Sequence, residues 1–292
     1  MSLLLTGAAG MLAAAMRRTV PAGIRLEVLT RRELDVGDAA AVAAVIARLK
    51  PEWVINCAAY TAVDQAETEP ELAYRVNAAG PLHLATAVRH AGGRLLHFSS
   101  DYAFDGARDT PYREDDAPRP LNVYGRSKLA GEHAVRDLLP GRHLIVRSQW
   151  LFGPEGENFI ATILRLALQH KPLRVVNDQF GRPSYTTDVA RAVWQLLERD
   201  ARGTVHVANE GSGSWFDLAT VAVDAAAIAT VVEPCRTEDM PRPAQRPRFS
   251  VLDCSRFLEL TGQRLPPWQA AVRSYVGSVP GLQHVDRSKV AG

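Results

Sequence analysis

Tyr124 and Lys128 stand four residues apart, which puts both side chains on one face if the segment is helical. A phenol beside an ammonium suggests proton transfer. A free phenol ionises near pH 10, so forming the phenolate at pH 7 costs roughly 4 kcal/mol. A cation about 4 Å away offers about 4 kcal/mol at an effective dielectric of 20, before desolvation. Lys128 is therefore expected to tune Tyr124 as a proton donor and acceptor near neutrality. Ser100 lies twenty-four positions upstream and offers a hydroxyl to the same substrate oxygen. An ordinary surface helix can also carry Tyr-x-x-x-Lys, so the surrounding elements decide its meaning.

Those elements read as strand, loop and helix. Leu95 to Phe98 is an apolar run of the kind that forms a buried parallel strand. It delivers Ser99, Ser100 and Asp101 to the strand's C-terminal end, where ligands sit in open α/β sheets. A loop of about twenty residues rich in Gly, Pro and charge follows, and loops that long are usually functional. A helix is predicted from near Asn122. At the amino terminus, the apolar Leu3-Leu4-Leu5 leads into Thr6-Gly7-Ala8-Ala9-Gly10-Met11-Leu12-Ala13. Gly7 permits a tight turn, Gly10 lets a phosphate approach the N–H groups opening the helix, and Ala13 is small enough to pack on the strand. An ordinary strand-to-helix turn is the plain alternative. Position favours the phosphate site, because a first strand precedes the motif and a helix follows it.

Strand and helix alternate through the first half, the pattern of an α/β protein with a parallel sheet. Further strands are predicted at Arg25 to Leu29, Trp53 to Cys57, His143 to Arg147, Leu173 to Val176 and Thr204 to Val207. Asp38 is expected to cap a helix with Val42, Ile46 and Leu49 on one face. Pro70 opens a helical region expected to break near Gly80-Pro81 and resume to about Ala91. A helix from about Phe159 to Gln169 should carry Phe159, Ile163 and Leu166 on one side. One from Thr187 to Arg199 should bury Val189, Val193 and Leu196, and another begins near Ser214.

With 292 residues and 47% hydrophobic composition, the chain can bury one large core or two coupled ones. A formal charge of +2, without a dense basic block, points away from nucleic acid. Cys57, Cys235 and Cys254 form no close-spaced pair, as suits a reducing compartment rather than a disulfide framework or zinc site. The glycine turn arrives before any signal-type apolar stretch, and no segment reaches transmembrane length. A soluble, cytoplasmic protein without membrane partners is expected.

Thr6-Gly7-x-x-Gly10 together with Ser100, Tyr124 and Lys128 resembles the extended short-chain dehydrogenase/reductases. More narrowly, Asn56 to Asp64, Phe98 to Phe104, Asn122 to Glu132 and Asn177 to Pro183 resemble the dTDP-4-dehydrorhamnose reductase family. The likeness runs from about residue 2 to about residue 275. It implies a Rossmann-type doubly wound parallel sheet with a smaller sugar-nucleotide lobe. Residues 1–150 and about 183–207 would form the first part, and about 151–182 and 208–292 the second.

The resemblance also implies chemistry: NAD(P)H-dependent reduction of the C4 keto group of dTDP-4-dehydro-L-rhamnose. Tyr124, Lys128 and Ser100 would be catalytic, and Ser100, Asp101, Tyr124, Trp150 and Arg246 would hold the nucleotide sugar. Trp150 can equally be a core aromatic, and Arg246 can belong to a Pro-stiffened surface loop. The dinucleotide would contact Gly7, Gly10, Met11 and Leu12, then Asp35, Val36, Ala58, Ala59 and Tyr60, and finally Tyr124 and Lys128. Asn77 resembles an asparagine near the family's active site, although helix packing also accounts for it. Ala15 stands where some members place a metal-binding glutamate, so no metal is expected. A monomer or homodimer fits equally. Another nucleotide-sugar reductase, an epimerase, a dehydratase or a non-catalytic regulatory subunit are the alternatives.

Cofactor choice turns on the end of the second strand, where Leu29-Thr30-Arg31-Arg32-Glu33 shows no carboxylate at the position about twenty residues past the glycine turn. Arg31 and Arg32 suit a ribose 2′-phosphate, so NADPH is expected, with NADH possible. In the alternative, both arginines are solvated and Glu33 or Asp35 takes the ribose or adenine.

Overall fold

The computed structural model of the chain describes residues 1–169 and 172–279. The expected second lobe's last residues, 280–292, lie outside them. In chain order the first half consists of β1 (Ser2–Thr6), α1 (Met11–Arg18), β2 (Arg25–Leu29), α2 (Ala39–Leu49), β3 (Trp53–Asn56), α3 (Pro70–Tyr74), α4 (Gly80–Ala91), β4 (Arg94–Ser100), α5 (Val123–Leu138) and β5 (His143–Ser148). There follow β6 (Leu151–Phe152), α6 (Phe159–Ala167), β7 (Leu173–Val176), β8 (Phe180–Gly181), β9 (Ser184–Tyr185), α7 (Thr186–Glu198), β10 (Gly203–His206), β11 (Gly213–Ser214), α8 (Trp215–Ala225), β12 (Val232–Cys235), α9 (Ser255–Thr261) and α10 (Trp268–Ser278).

Six strands of the described residues form one parallel sheet in the order β10-β5-β4-β3-β1-β2. Every residue of β3 and β5 is buried, as is all of β4 after Arg94, which is why adjacent apolar residues, and not an alternating pattern, mark these segments. One face is covered by α1 and α7 through Ala13, Met16, Val189, Val193 and Leu196, joined by Phe257 of α9. The other is covered by α2, α4 and α5 through Val42, Ile46, Leu84, Val88 and Val135. A second core gathers α6, α8 and α10 around Ile160, Leu164, Leu218 and Val272. The sheet changes direction between β1 and β3, and the crevice at this switch point is where doubly wound sheets take ligands.

Two expectations are corrected. The helix does not break at Gly80-Pro81. A π-helical turn, Arg75–Ala79, joins α3 to α4, and Pro81 sits in the first turn of α4. A missing N–H is tolerated there, and wider π-helical turns are frequent at functional sites. On α6 the buried residues are Ile160, Ile163, Leu164 and Ala167, whereas Leu166 is exposed. Phe159 packs sideways on Trp215, ring centroids 4.7 Å apart, so the core-facing stripe begins one residue later than expected.

Candidate active site

At the end of β4 the chain tightens into a 3₁₀ turn over Asp101–Ala103, with the Ser100 hydroxyl accepting from Tyr102 N at 3.2 Å. The Asn122 side chain caps α5 by accepting from Gly125 N at 2.8 Å, the signal for which an Asn before a helix is suited. Tyr124 therefore lies in the first turn of α5, its phenol close enough to the Ser100 hydroxyl to feel it. Burial pushes the phenol up to about 12. The Ser100 hydroxyl acts downward and the nearby Asp101 charge adds to the rise. Tyr124 is thus a protonated phenol near neutrality, the form that gives a proton.

Lys128 shares the buried face of α5, as its spacing predicts. Its ammonium does not bond the phenol. Lys128 Nζ donates to the Phe98 carbonyl at 2.6 Å, because the strand carbonyl is the acceptor available to a cation stretched beneath the helix. Burial lowers Lys128 to about 8, opposed by the Glu132 charge. Asn77 fixes the helix from its other side. It is fully buried in the π-helical turn, accepts from Tyr60 N at 2.8 Å, and donates to Tyr60 O and Ser127 Oγ at 3.0 Å. Gly131 makes this approach possible, since a Cβ there would collide with the Asn77 carbonyl.

The amino-terminal turn meets the same cleft. Gly7 has φ +71, and a Cβ on it would lie 2.5 Å from Ala58 N. Only glycine suits that conformation and that contact. Gly10 is the N-cap of α1, and no side chain caps the helix. Its first N–H groups, those of Met11 and Leu12 among them, are left for a ligand's phosphate oxygens. A cavity of about 540 Å³ is lined by Gly10, Met11, Leu12, Ser100, Asp101, Tyr124, Lys128 and Trp150. Adjoining it at Gly10 and Ala59 is one of about 200 Å³ lined by Gly7, Arg31, Asp35, Val36, Ala58 and Tyr60. The two together fit an extended dinucleotide, with an uncapped helix at the middle and an arginine at one end. Arg32 is exposed and lines neither cavity. Asp35 is engaged by Arg75 Nη2 at 2.6 Å and Gly37 N at 2.9 Å.

Around the larger cavity, Asp101 is almost wholly buried. It accepts from Ser100 Oγ at 2.9 Å and Ser250 Oγ at 2.6 Å, and Gln149 Nε2 approaches at 3.5 Å. Burial raises its carboxyl to about 6 against these hydrogen bonds. Trp150 takes a positive φ of 47 and stacks on Trp215, centroids 3.6 Å apart and planes within 10°. Both indoles line the cavity. Arg246 does not line it. Its guanidinium grips both carboxylate oxygens of Asp64, with Nη2 to Oδ2 at 3.0 Å, and lies near Tyr102, which does line the cavity. Sequence reasoning passed over Trp215, Gln149 and Ser148. Trp215 carries only the Ser214–Asp217 capping box that starts α8, which signals a helix and not a site.

A family model described as "RmlD substrate binding domain" matches residues 1–279. A dTDP-4-dehydrorhamnose reductase of Streptomyces griseus is 42% identical over 276 residues, 92% of this chain and 91% of that protein. The chain belongs to the dTDP-4-dehydrorhamnose reductase family. Among solved members, the reductase of Clostridium acetobutylicum superposes with a TM-score of 0.91 at 38% identity, covering 94% of this chain and 98% of that one. The reductase of Bacillus anthracis, solved in complex with NADP, also gives 0.91, at 36% identity and the same coverage. The Rossmann-type sheet is thus that of a family of reductases.

Proposed function

We propose that the protein reduces the C4 keto group of dTDP-4-dehydro-L-rhamnose to dTDP-L-rhamnose, using NADPH. One observation carries the reading: a protonated Tyr124, beside Ser100, faces the same cavity as the uncapped, glycine-bounded start of α1. NADPH, when bound, supplies the hydride. Gly7, Gly10 and the opening turn of α1 would hold its diphosphate, and Arg31 its 2′-phosphate. As the C4 oxygen gains charge, Tyr124 gives it the phenolic proton. Ser100, held by Asp101, orients the phenol and that oxygen. Lys128 adds positive charge beneath the phenol without bonding it. Trp150 and Trp215 form the wall against which the sugar ring lies.

The same reading divides the chain discontinuously. Residues 1–150 with α7 and β10 form the dinucleotide part, and the core of α6, α8 and α10 supports the sugar-nucleotide part. A cytoplasmic location is supported by three cysteines that are all unpaired. Among the described residues no helix is long and apolar enough to cross a membrane. The test is NADPH oxidation at 340 nm on adding dTDP-4-dehydro-L-rhamnose. Substrate-dependent loss of absorbance is expected, and its absence with pure protein and fresh substrate would overturn the assignment.

A further inference from the structure

Ser148 ends β5 directly beside Ser100 of β4 in the parallel register. Leu144 and Val146 of β5, like Leu96 and Phe98 of β4, join the core under α1 and α7. Side chains alternate along a strand, so Ser148 and Ser100 emerge on that same face. Ser148 is 4% exposed and lines the larger cavity. Its Oγ has no hydrogen-bond partner among the described residues. A buried hydroxyl without a partner is unfavourable, yet this one borders the cleft. Ser99, whose hydroxyl also lacks a partner, lines the cavity too, but alternation turns it to the face toward α5 and away from Ser148.

The order of groups along the sheet's C-terminal edge gives Ser148 its partner. Arg31 follows β2, the glycine turn follows β1, Ala58 and Ala59 follow β3, and Ser100 closes β4. A dinucleotide with its diphosphate on α1 and its 2′-phosphate at Arg31 must place its hydride-bearing ring near Ser100 and Tyr124. Ser148 is one strand further on, about 4.8 Å away. The amide of a nicotinamide sits on the carbon next to the one that gives up hydride, its O and N about 3–4 Å from that carbon, and a hydrogen bond of about 3 Å extends its reach to the next strand. From this juxtaposition we propose that Ser148 Oγ is the hydrogen-bond partner of the nicotinamide carboxamide, fixing the ring beside Ser100 and Tyr124. The assignment rests on the dinucleotide reading above.

Ser148→Ala tests it by equilibrium binding, titrating the free protein with NADPH and with 2′-phospho-ADP-ribose, which keeps the adenosine and diphosphate but lacks the nicotinamide. The Kd for NADPH should rise about tenfold, the worth of one buried hydrogen bond, while that for 2′-phospho-ADP-ribose stays unchanged. Ser148→Thr should retain NADPH affinity, and the alanine variant should melt no lower than the parent, because it loses only an unpartnered hydroxyl. Unchanged NADPH affinity, or equal loss for both ligands, overturns the proposal. A parent that binds neither ligand overturns the dinucleotide reading itself, and this proposal with it.

Discussion

Lys128 Nζ donates to the Phe98 carbonyl at 2.6 Å, so a buried cation ties α5 to the middle of the parallel sheet. The helix that carries Tyr124 is therefore fixed relative to Ser100 by the same residue that supplies charge to the site. Burial lowers Lys128 to about 8 from its ordinary 10.5.

That shift sets a stability prediction for the ligand-free protein. In the unfolded chain the lysine stays protonated to near 10.5, so between about 8 and 10.5 the unfolded state binds more protons and stability rises with pH. Below 8 the buried cation costs stability, on the order of 3 kcal/mol. Lys128→Met should melt at the parental temperature or higher at pH 7, lack the rise above pH 8, and turn over about 10²-fold more slowly. Circular dichroism melts across pH with a turnover assay check both halves. A variant that melts lower at pH 7 and keeps the rise contradicts the assignment.

Arg147 of β5 and Glu132 of α5 form a buried two-pronged pair, Nε to Oε1 at 2.8 Å and Nη2 to Oε2 at 2.6 Å. Removing one partner strands the other charge in the core. Glu132→Gln is expected to cost about 3 kcal/mol in a denaturant titration. Adding Arg147→Met should restore part of that loss, because the stranded guanidinium is gone. Additive losses in the double variant would show that the charge is not what the pair manages.

Much of this arrangement is legible locally. The glycine turn, the apolar strands and the Asn122 cap each depend on a few adjacent residues, and each stands where the sequence places it. The π-helical turn does not announce itself, because Gly80-Pro81 reads as a break and nothing nearby says that a wider turn can carry the helix through. The Asp64–Arg246 pair, the Ser250 bond to Asp101 and the Trp150–Trp215 stack join residues far apart in the chain, and tertiary packing alone creates them. Lys128 shows the same limit. Spacing put it on the right face, but the Phe98 carbonyl that claims it belongs to another element.

Cofactor preference should depend on Arg31 and not on Arg32, since only Arg31 lines the cavity at the end of β2. Arg31 is 70% exposed, so solvent weakens its effect. Arg31→Ala is expected to weaken NADPH by about 1 kcal/mol with little change for NADH, and Arg32→Ala to leave both alone. Fluorescence titrations with the two dinucleotides measure this. Equal losses for both would remove the 2′-phosphate from Arg31.

The central claim is that hydride passes from NADPH to C4 of the sugar while Tyr124 protonates the C4 oxygen. It is tested most directly with NADPH doubly deuterated at nicotinamide C4, following the product by NMR. One deuterium should appear at C4 of dTDP-L-rhamnose. Tyr124→Phe should slow its incorporation by about 10²–10⁴-fold while leaving the Kd for NADPH unchanged. A product without deuterium at C4, or a Phe variant that incorporates it at the parental rate, would contradict the account.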